Sequence, residues 1–114
     1  MKDDHLYLVH INECVDYIQQ YIADGREAFL RDRKTQDAVL RNLHTLSESV
    51  QRLSDPLKTR HPTTDWRAIM AFRNVVVHDY LGIDLNEIWD IVERDLPVLK
   101  AQITMILTEL DQAE

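Results

Sequence analysis

Residues 73–80, Arg-Asn-Val-Val-Val-His-Asp-Tyr, bring a guanidinium, an imidazole and a phenol close together in an apolar stretch. At about 100° per residue of an α-helix, Asn74, His78 and Tyr80 all lie within about 140° of Arg73. A guanidinium matches phosphate oxygens, and imidazole exchanges protons near neutral pH. These groups could cleave an RNA phosphodiester, with His78 handling the proton transfers and Arg73 stabilising the extra negative charge on phosphorus.

The neighbouring polar residues could support this chemistry. Asn74 lies one turn before His78 and could orient the ring or the substrate through hydrogen bonds. The alternative for the whole group is a structural polar cluster at a helix–helix contact. For Asp79, a solvated position near the helix end fits at least as well as a role in tuning His78, and Tyr80 could simply pack the helix end.

Neither a metal nor another cofactor is expected. The chain has no Gly-rich phosphate loop and no cysteine cluster. His5 and His10 have no sensible third ligand nearby, so we interpret them as surface histidines rather than metal ligands. His44 and Glu48 stand four residues apart, which favours an ordinary helix pair.

The helix that carries the polar group is apolar on its other side as well. Its core-facing stripe contains Ala68, Ile69, Phe72, Val75 and Val76, and its polar side is interleaved with Trp66, Met70, Val77 and Leu81. A helix that is apolar nearly all round is buried nearly all round. Because a short chain has few elements to cover both sides, we expect the polar side to face a second copy in a homodimer.

Length and composition predict one all-α domain spanning residues 1–114. Two glycines and three prolines in 114 residues, with 45% hydrophobic residues, favour long uninterrupted helices. No apolar run approaches about 18 residues, so we expect no membrane association. The N-terminus has no signal-peptide pattern and Cys14 is the single cysteine, which favours a cytoplasmic location and a buried, unpaired thiol.

The charge is unevenly distributed along this acidic chain. The formal net charge is −7, yet residues 26–78 carry ten Lys/Arg against six Asp/Glu. A local basic zone in an acidic protein fits a narrow phosphate site better than broad coating of a duplex. Within this zone Lys58, Arg60 and Arg67 could guide RNA to the motif; ordinary solvated positions are the alternative.

Apolar spacing predicts about five helices in an antiparallel bundle. Helix one should begin near Asp3 or Asp4, with their carboxylates as caps, and stop at Asp24-Gly25. Helix two should start near Thr35 and end before Asp55-Pro56, because the residue before proline avoids helical dihedrals. A link should run from Arg26 to Arg33, either without helix or with one short turn around Ala28-Phe29-Leu30, and a second link from Leu57 to Thr63.

The remaining helices position the motif and close the bundle. Helix three should run from about Thr64 through the motif to Gly82. Asp84 should cap a short fourth helix, and Pro97 fits the first turn of a fifth.

Arg73, four residues, His78, one residue and Tyr80 resemble the Arg-x(4–6)-His signature of HepT-like HEPN proteins. These are ribonuclease toxins paired with a minimal nucleotidyltransferase antitoxin of the MntA type. The likeness extends along nearly the whole chain, through Tyr7-Leu8, Thr35-Gln36-Asp37-Ala38-Val39, Trp66-Arg67-Ala68-Ile69 and Asp95-Leu96-Pro97. One departure is Ser47-Glu48-Ser49, where the family pattern has Gly-Glu-Ala, and we expect it to alter local packing only.

The resemblance implies the toxin of a type VII-like toxin–antitoxin pair: a metal-independent endoribonuclease whose two motif copies meet at a dimer cleft. It implies Arg73 and His78 as catalytic residues and Tyr80 as the residue that the antitoxin modifies with AMP. Asn74 and Asp79 would support them. The alternative function is a non-catalytic helical partner, or nucleotide-binding module, for a nucleotidyltransferase.

Overall fold

Helices make up most of the described chain, which comprises residues 2–78 and 84–113 of a computed structural model. In chain order they are α1 (Lys2–Tyr21), α2 (Arg26–Arg31), α3 (Arg33–Arg52), α4 (Asp55–Arg60), α5 (Trp66–His78), α6 (Leu85–Asp90), a π-helical turn (Ile91–Asp95) and α7 (Leu96–Ala113). These residues contain no strand, so the predicted all-α class is confirmed.

Helix α1 lies between α3 and α7 and runs antiparallel to both. Its early residue His10 bonds to Ser49 late in α3, with Nδ1 and Oγ 2.7 Å apart. Its residue Asn12 donates to the hydroxyl of Thr104 in α7 at 3.1 Å, and Asp16, one turn later, pairs with Lys100, one turn earlier in α7. Helix α5 packs against α3, and its residues Ile69 and Phe72 also line a cavity with Leu99 of α7.

Helix α3 supplies the middle of the core. The apolar residues at alternating steps of four and three are all buried: Val39, Leu43, Leu46, Val50 and Leu53. This spacing keeps one stripe turned inward along the whole helix. The helix begins two residues before the predicted Thr35, because Asp32 caps it by accepting from the Lys34 amide at 3.1 Å.

Two predicted links contain short helices. Gly25 adopts φ +96, a conformation that glycine tolerates, and α2 follows it directly. Ser54 caps α4 with its hydroxyl, and Pro56 lies in the first turn of α4. Helix α3 ends at Arg52, before Asp55-Pro56 as predicted. The short helix that follows was not predicted, although proline is favoured in a first turn because its missing N–H has no partner there.

Asp4 was expected to cap α1, but its carboxylate has a different role. The helix begins at Lys2, and the Asp4 carboxylate is buried against Ser54 instead. Helix three also begins later than Thr64, at Trp66, and its predicted end at Gly82 lies outside the described residues.

Helix α6 continues into α7 through the π-helical turn. Asp84 caps α6 as predicted, accepting from the amides of Asn86 and Glu87 at 3.0 and 3.3 Å. Pro97 is the second residue of α7, where the fifth helix was expected. A wider turn directly before proline accommodates a residue that lacks an N–H and crowds the carbonyl four positions earlier.

Candidate active site

Helix α5 presents Arg73 and Asn74 to solvent. Both residues are exposed, while Ile69 and Phe72 of the same helix are only 6% and 7% exposed and join the core. The buried pair anchors α5 in the core and leaves Arg73 and Asn74 in contact with solvent. His78 is the last residue of α5, five residues and about 7.5 Å of helix rise after Arg73. Asp79 and Tyr80 lie outside the described residues.

Arg73 reaches across to α3. Its Nη1 donates to the side-chain oxygen of Gln51 at 3.5 Å, which is long for a hydrogen bond. Four of the five guanidinium N–H groups therefore do not take part in this contact. The exposed guanidinium keeps the planar fork that a phosphate would need.

The face of α3 next to Arg73 carries a second polar pair. His44 Nε2 lies 2.9 Å from Glu48 Oε1, so the expected i, i+4 pair is confirmed. This hydrogen bond is the main reason that the pKa of Glu48 lies below its ordinary value of 4.5. The positive charges of His44, Arg73 and Arg52 lower that pKa further. Glu48 is therefore an anion at neutral pH within the electrostatic reach of Arg73.

The three basic residues expected to guide RNA have different positions. Lys58 on α4 donates to the backbone oxygen of Gln51 at 3.4 Å, so it and Arg73 contact the same residue. Arg60 is exposed at the end of α4. Arg67 is exposed on α5, seven residues before Asn74 and therefore almost in line with it along the helix. Lys58 is thus the one of the three that a described contact links to the surroundings of Arg73.

Trp66 does not belong to the apolar surface that was expected at the dimer interface. It was grouped with the apolar residues of the motif side, yet it is buried within the chain. Its indole N–H lies 3.2 Å from the backbone oxygen of Lys58 and 3.0 Å from that of His61. The fold of α4 back over the start of α5 supplies these acceptors. Met70 is also partly packed against the core, whereas Ala68, expected in the core stripe, is exposed.

Comparison with known proteins identifies the family. A family model described as ribonuclease HepT-like matches residues 11–106, which is most of the chain. The chain belongs to the HepT-like ribonuclease family. The matched region includes α3 and α5, and hence Arg73, Gln51 and Glu48. No solved structure gives a significant match.

Several curated proteins resemble the HepT-like chain over most of its length. A probable ribonuclease HepT of Thermococcus cleftensis is 35% identical over 104 residues, covering 90% of this chain and 94% of that protein. The mRNA nuclease HepT of Shewanella oneidensis is 27% identical over 123 aligned positions, covering 87% and 92%. A Methanocaldococcus jannaschii protein, whose name joins gamma-glutamylcyclotransferase to a proposed RNase, is 32% identical over 112 residues. That alignment covers 97% of this chain but only 50% of the relative, which is about twice as long.

The departure from the HepT-like pattern at Ser47-Glu48-Ser49 has a local explanation. The Ser47 hydroxyl donates to the His44 backbone oxygen at 2.8 Å, within α3. Ser49 is buried and bonds to His10, which is therefore part of the α1–α3 contact rather than the free surface histidine we expected. Both serine hydroxyls therefore have hydrogen-bond partners within the packing of α3 against α1 and within α3 itself.

Cys14 is a buried thiol, as predicted, and is 3% exposed. Burial, and to a lesser degree the charge of Glu13, raises its pKa to about 11. A thiol with such a pKa is protonated at neutral pH, so Cys14 contributes packing rather than nucleophilic chemistry.

The described residues offer neither a metal-ligand cluster nor a membrane-spanning helix. Among residues 2–78 and 84–113, no group of three or more His, Cys, Asp or Glu side chains is placed to hold a metal ion. No helix in the same ranges has both the length and the hydropathy needed to cross a membrane.

Sequence reasoning missed the contribution of α3 to this region. His44, Glu48 and Gln51 follow one another at i, i+4 and i+7, which places them on one face of the helix. That spacing was visible in the sequence. The position of the face next to Arg73 was not, because it depends on how α3 and α5 pack.

Proposed function

We propose that this HepT-like chain is a metal-independent endoribonuclease, the toxin of a toxin–antitoxin pair. Arg73 and His78 are its catalytic residues, and Asn74 and Asp79 support them. The observation that carries the proposal is an exposed Arg73 on α5, followed five residues later by a histidine, in a chain of a ribonuclease family. Relatives named as a ribonuclease and as an mRNA nuclease support RNA as the substrate class.

The reaction requires two proton transfers and one charge stabilisation. His78 removes the proton from a ribose 2′-hydroxyl, and the 2′-oxygen attacks the adjacent phosphorus. Arg73 stabilises the additional negative charge on the phosphoryl oxygens with its fork of N–H donors. The 5′-oxygen leaves with a proton from an imidazolium, and the product ends in a 2′,3′-cyclic phosphate.

A homodimer provides both imidazoles in this scheme. Each chain has one His78, whereas the reaction needs a base and an acid during the same displacement. Pairing of two α5 helices would bring two copies of the motif to one cleft. The exposure of Arg73 and Asn74 in the isolated chain supports this arrangement, since it leaves that side of α5 accessible.

An antitoxin of the minimal nucleotidyltransferase class would control the enzyme by attaching AMP to Tyr80. Tyr80 follows Arg73 by seven residues in the motif. An added phosphodiester would carry a negative charge close to the guanidinium, and the nucleotide would obstruct RNA entry. Lys58, Arg60 and Arg67, all from the basic stretch 26–78, would guide RNA to the site.

RNA cleavage by the purified chain is the direct test. Incubation with a mixed single-stranded RNA in excess EDTA should yield fragments, and mass spectrometry should find 2′,3′-cyclic phosphate ends. A stable pool of RNA under these conditions would overturn the ribonuclease proposal and favour a non-catalytic partner of a nucleotidyltransferase. Activity that requires added divalent metal would overturn the metal-independent mechanism while leaving RNA as the substrate.

A further inference from the structure

Arg73 on α5 faces a polar surface on α3 that the proposed mechanism does not use. Glu48 lies three residues before Gln51, the residue that Arg73 contacts, and therefore almost one turn away on the same face. His44 bonds to Glu48 from one turn further along, at 2.9 Å. His44, Glu48 and Gln51 thus form a polar surface on one face of α3, beside the Arg73 guanidinium.

We propose that Glu48 is a positioning residue that sets the orientation of the Arg73 guanidinium for the RNA phosphate. This inference rests on the proposed ribonuclease function and deepens it. The site then comprises two helices, with the phosphate-binding arginine on α5 and the carboxylate that aims it on α3.

The contact with Gln51 alone does not fix the arginine. A neutral amide at 3.5 Å is a weak acceptor, and an exposed arginine otherwise samples many rotamers. A carboxylate forms stronger, charge-assisted hydrogen bonds with a guanidinium. Restricting the rotamers before RNA arrives reduces the ordering that must occur in the transition state.

Glu48 is itself held in place. The hydrogen bond from His44 restrains its carboxylate, and the neighbouring charges of His44, Arg73 and Arg52 keep it ionised. Glu48 lies on the face of α3 that Arg73 contacts through Gln51, so its negative charge attracts the guanidinium toward that face. The alternative is that His44 and Glu48 form an ordinary side-chain pair within α3 that has no influence on Arg73.

Glu48 could either repel RNA or position Arg73, and these two roles predict opposite results for Glu48→Gln. If Glu48 only repels RNA, removing its charge should strengthen binding and raise activity. If Glu48 positions Arg73, kcat should fall about tenfold with KM unchanged or lower, as expected for the loss of an interaction that acts in the transition state. Glu48→Asp, which keeps the charge, should recover part of that loss.

A double-mutant cycle separates positioning from a structural role. In chains that already carry Arg73→Ala, Glu48→Gln should cause no further loss of cleavage, since the residue it acts through is absent. Multiplicative losses in the double variant would overturn the proposal. Asp37→Asn is the matched control: Asp37 is an exposed carboxylate of the same helix, paired with Arg33 at 3.8 Å, and its change should leave kcat as in the wild type.

An NMR measurement without RNA tests the positioning role of Glu48 separately from the proposed ribonuclease function. The side-chain Nε–H signal of Arg73 in a ¹H–¹⁵N spectrum, assigned by its loss in Arg73→Lys, should shift in Glu48→Gln and stay in place in Asp37→Asn. An unmoved signal in Glu48→Gln overturns the positioning role even if the chain cleaves RNA. A wild-type chain that does not cleave RNA overturns the proposed function, and the NMR signal then decides alone whether Glu48 positions Arg73.

Discussion

The buried carboxylate of Asp4 accepts two hydrogen bonds from Ser54, fifty positions away in the sequence. Asp4 Oδ1 lies 2.8 Å from the Ser54 amide nitrogen, and Oδ2 lies 2.6 Å from the Ser54 hydroxyl. Ser54 also caps α4, which includes Lys58, and the backbone oxygen of Lys58 accepts from Trp66 at the start of α5. One carboxylate therefore connects the first turn of α1 with the elements that position the motif helix.

Asp4→Ala should destabilise the fold by about 1–3 kcal/mol, the typical cost of leaving a buried polar group without its partner. The Ser54 amide would lose its acceptor at a site where Asp4 is only 2% exposed. Urea unfolding followed by circular dichroism measures the difference. Asp3→Ala, which removes an exposed carboxylate from the same turn, should cost distinctly less. Equal losses in the two variants would mean that the contact with Ser54 contributes little.

Cys14 should react slowly with thiol reagents in the folded protein. Its pKa of about 11 leaves almost no thiolate at pH 8, and burial blocks access. Ellman's reagent should therefore modify Cys14 rapidly only in denaturant. Gln20→Cys, which adds an exposed thiol to the same helix, provides the control and should react at once in the native state. Equal rates for the two thiols would contradict the buried environment.

The sequence was sufficient for those parts of the fold that depend on local periodicity. The core stripe of α3 and the Asp84 cap of α6 both follow from spacing within one helix, and both are present. Helix starts were less predictable. Helix α3 ends before Asp55-Pro56 as predicted, but the start of α4 at Asp55 was missed. Ser54 sets that start, because its hydroxyl accepts from the Leu57 amide at 3.4 Å.

The candidate site was predictable only along α5. Arg73 lies outside the buried core, as its place on the helical wheel suggested, but Trp66 on the same side is buried. A wheel contains no information on α4, whose carbonyls accept the indole N–H. The approach of Gln51 and Glu48 to Arg73 likewise depends on the register between α3 and α5. That register is set by the packing of buried residues far apart in the sequence.

The chain should be a dimer in dilute solution. The side of α5 that carries Arg73 and Asn74 is exposed, and a composite site would use it as the interface. Sedimentation velocity should give the mass of two chains, and specific RNA cleavage should fall when dilution separates them. The same specific activity in a sedimenting monomer would rule out a composite cleft.

Arg73→Ala and His78→Ala should each reduce RNA cleavage by about two to four powers of ten, the usual loss for a well-placed catalytic group. Helical content should stay unchanged in Arg73→Ala, because the core contacts of α5 come from Ile69 and Phe72. Arg31→Ala is the control, since Arg31 is exposed on α2 and pairs with Glu27 at 3.1 Å. Excess EDTA should leave the wild-type rate intact. Full activity in His78→Ala would refute the proposed proton transfers.

The antitoxin should modify Tyr80 in preference to other accessible tyrosines. Trypsin releases residues 74–94 as one fragment, and Tyr80 is its single tyrosine, so added AMP in this fragment can be assigned directly. Tyr17, which is 50% exposed on α1, serves as an internal control and should stay unmodified.

The modification should abolish cleavage through a local effect. AMP on Tyr80 would add bulk and a negative charge near Arg73, in competition with the RNA phosphate for the guanidinium. After co-expression with the cognate nucleotidyltransferase, the wild-type chain should carry one or more AMP units and be inactive. Tyr80→Phe should escape modification and, once separated from the antitoxin, should still cleave RNA. A neutralised complex with an unmodified Tyr80 would mean that the antitoxin acts by covering the site alone.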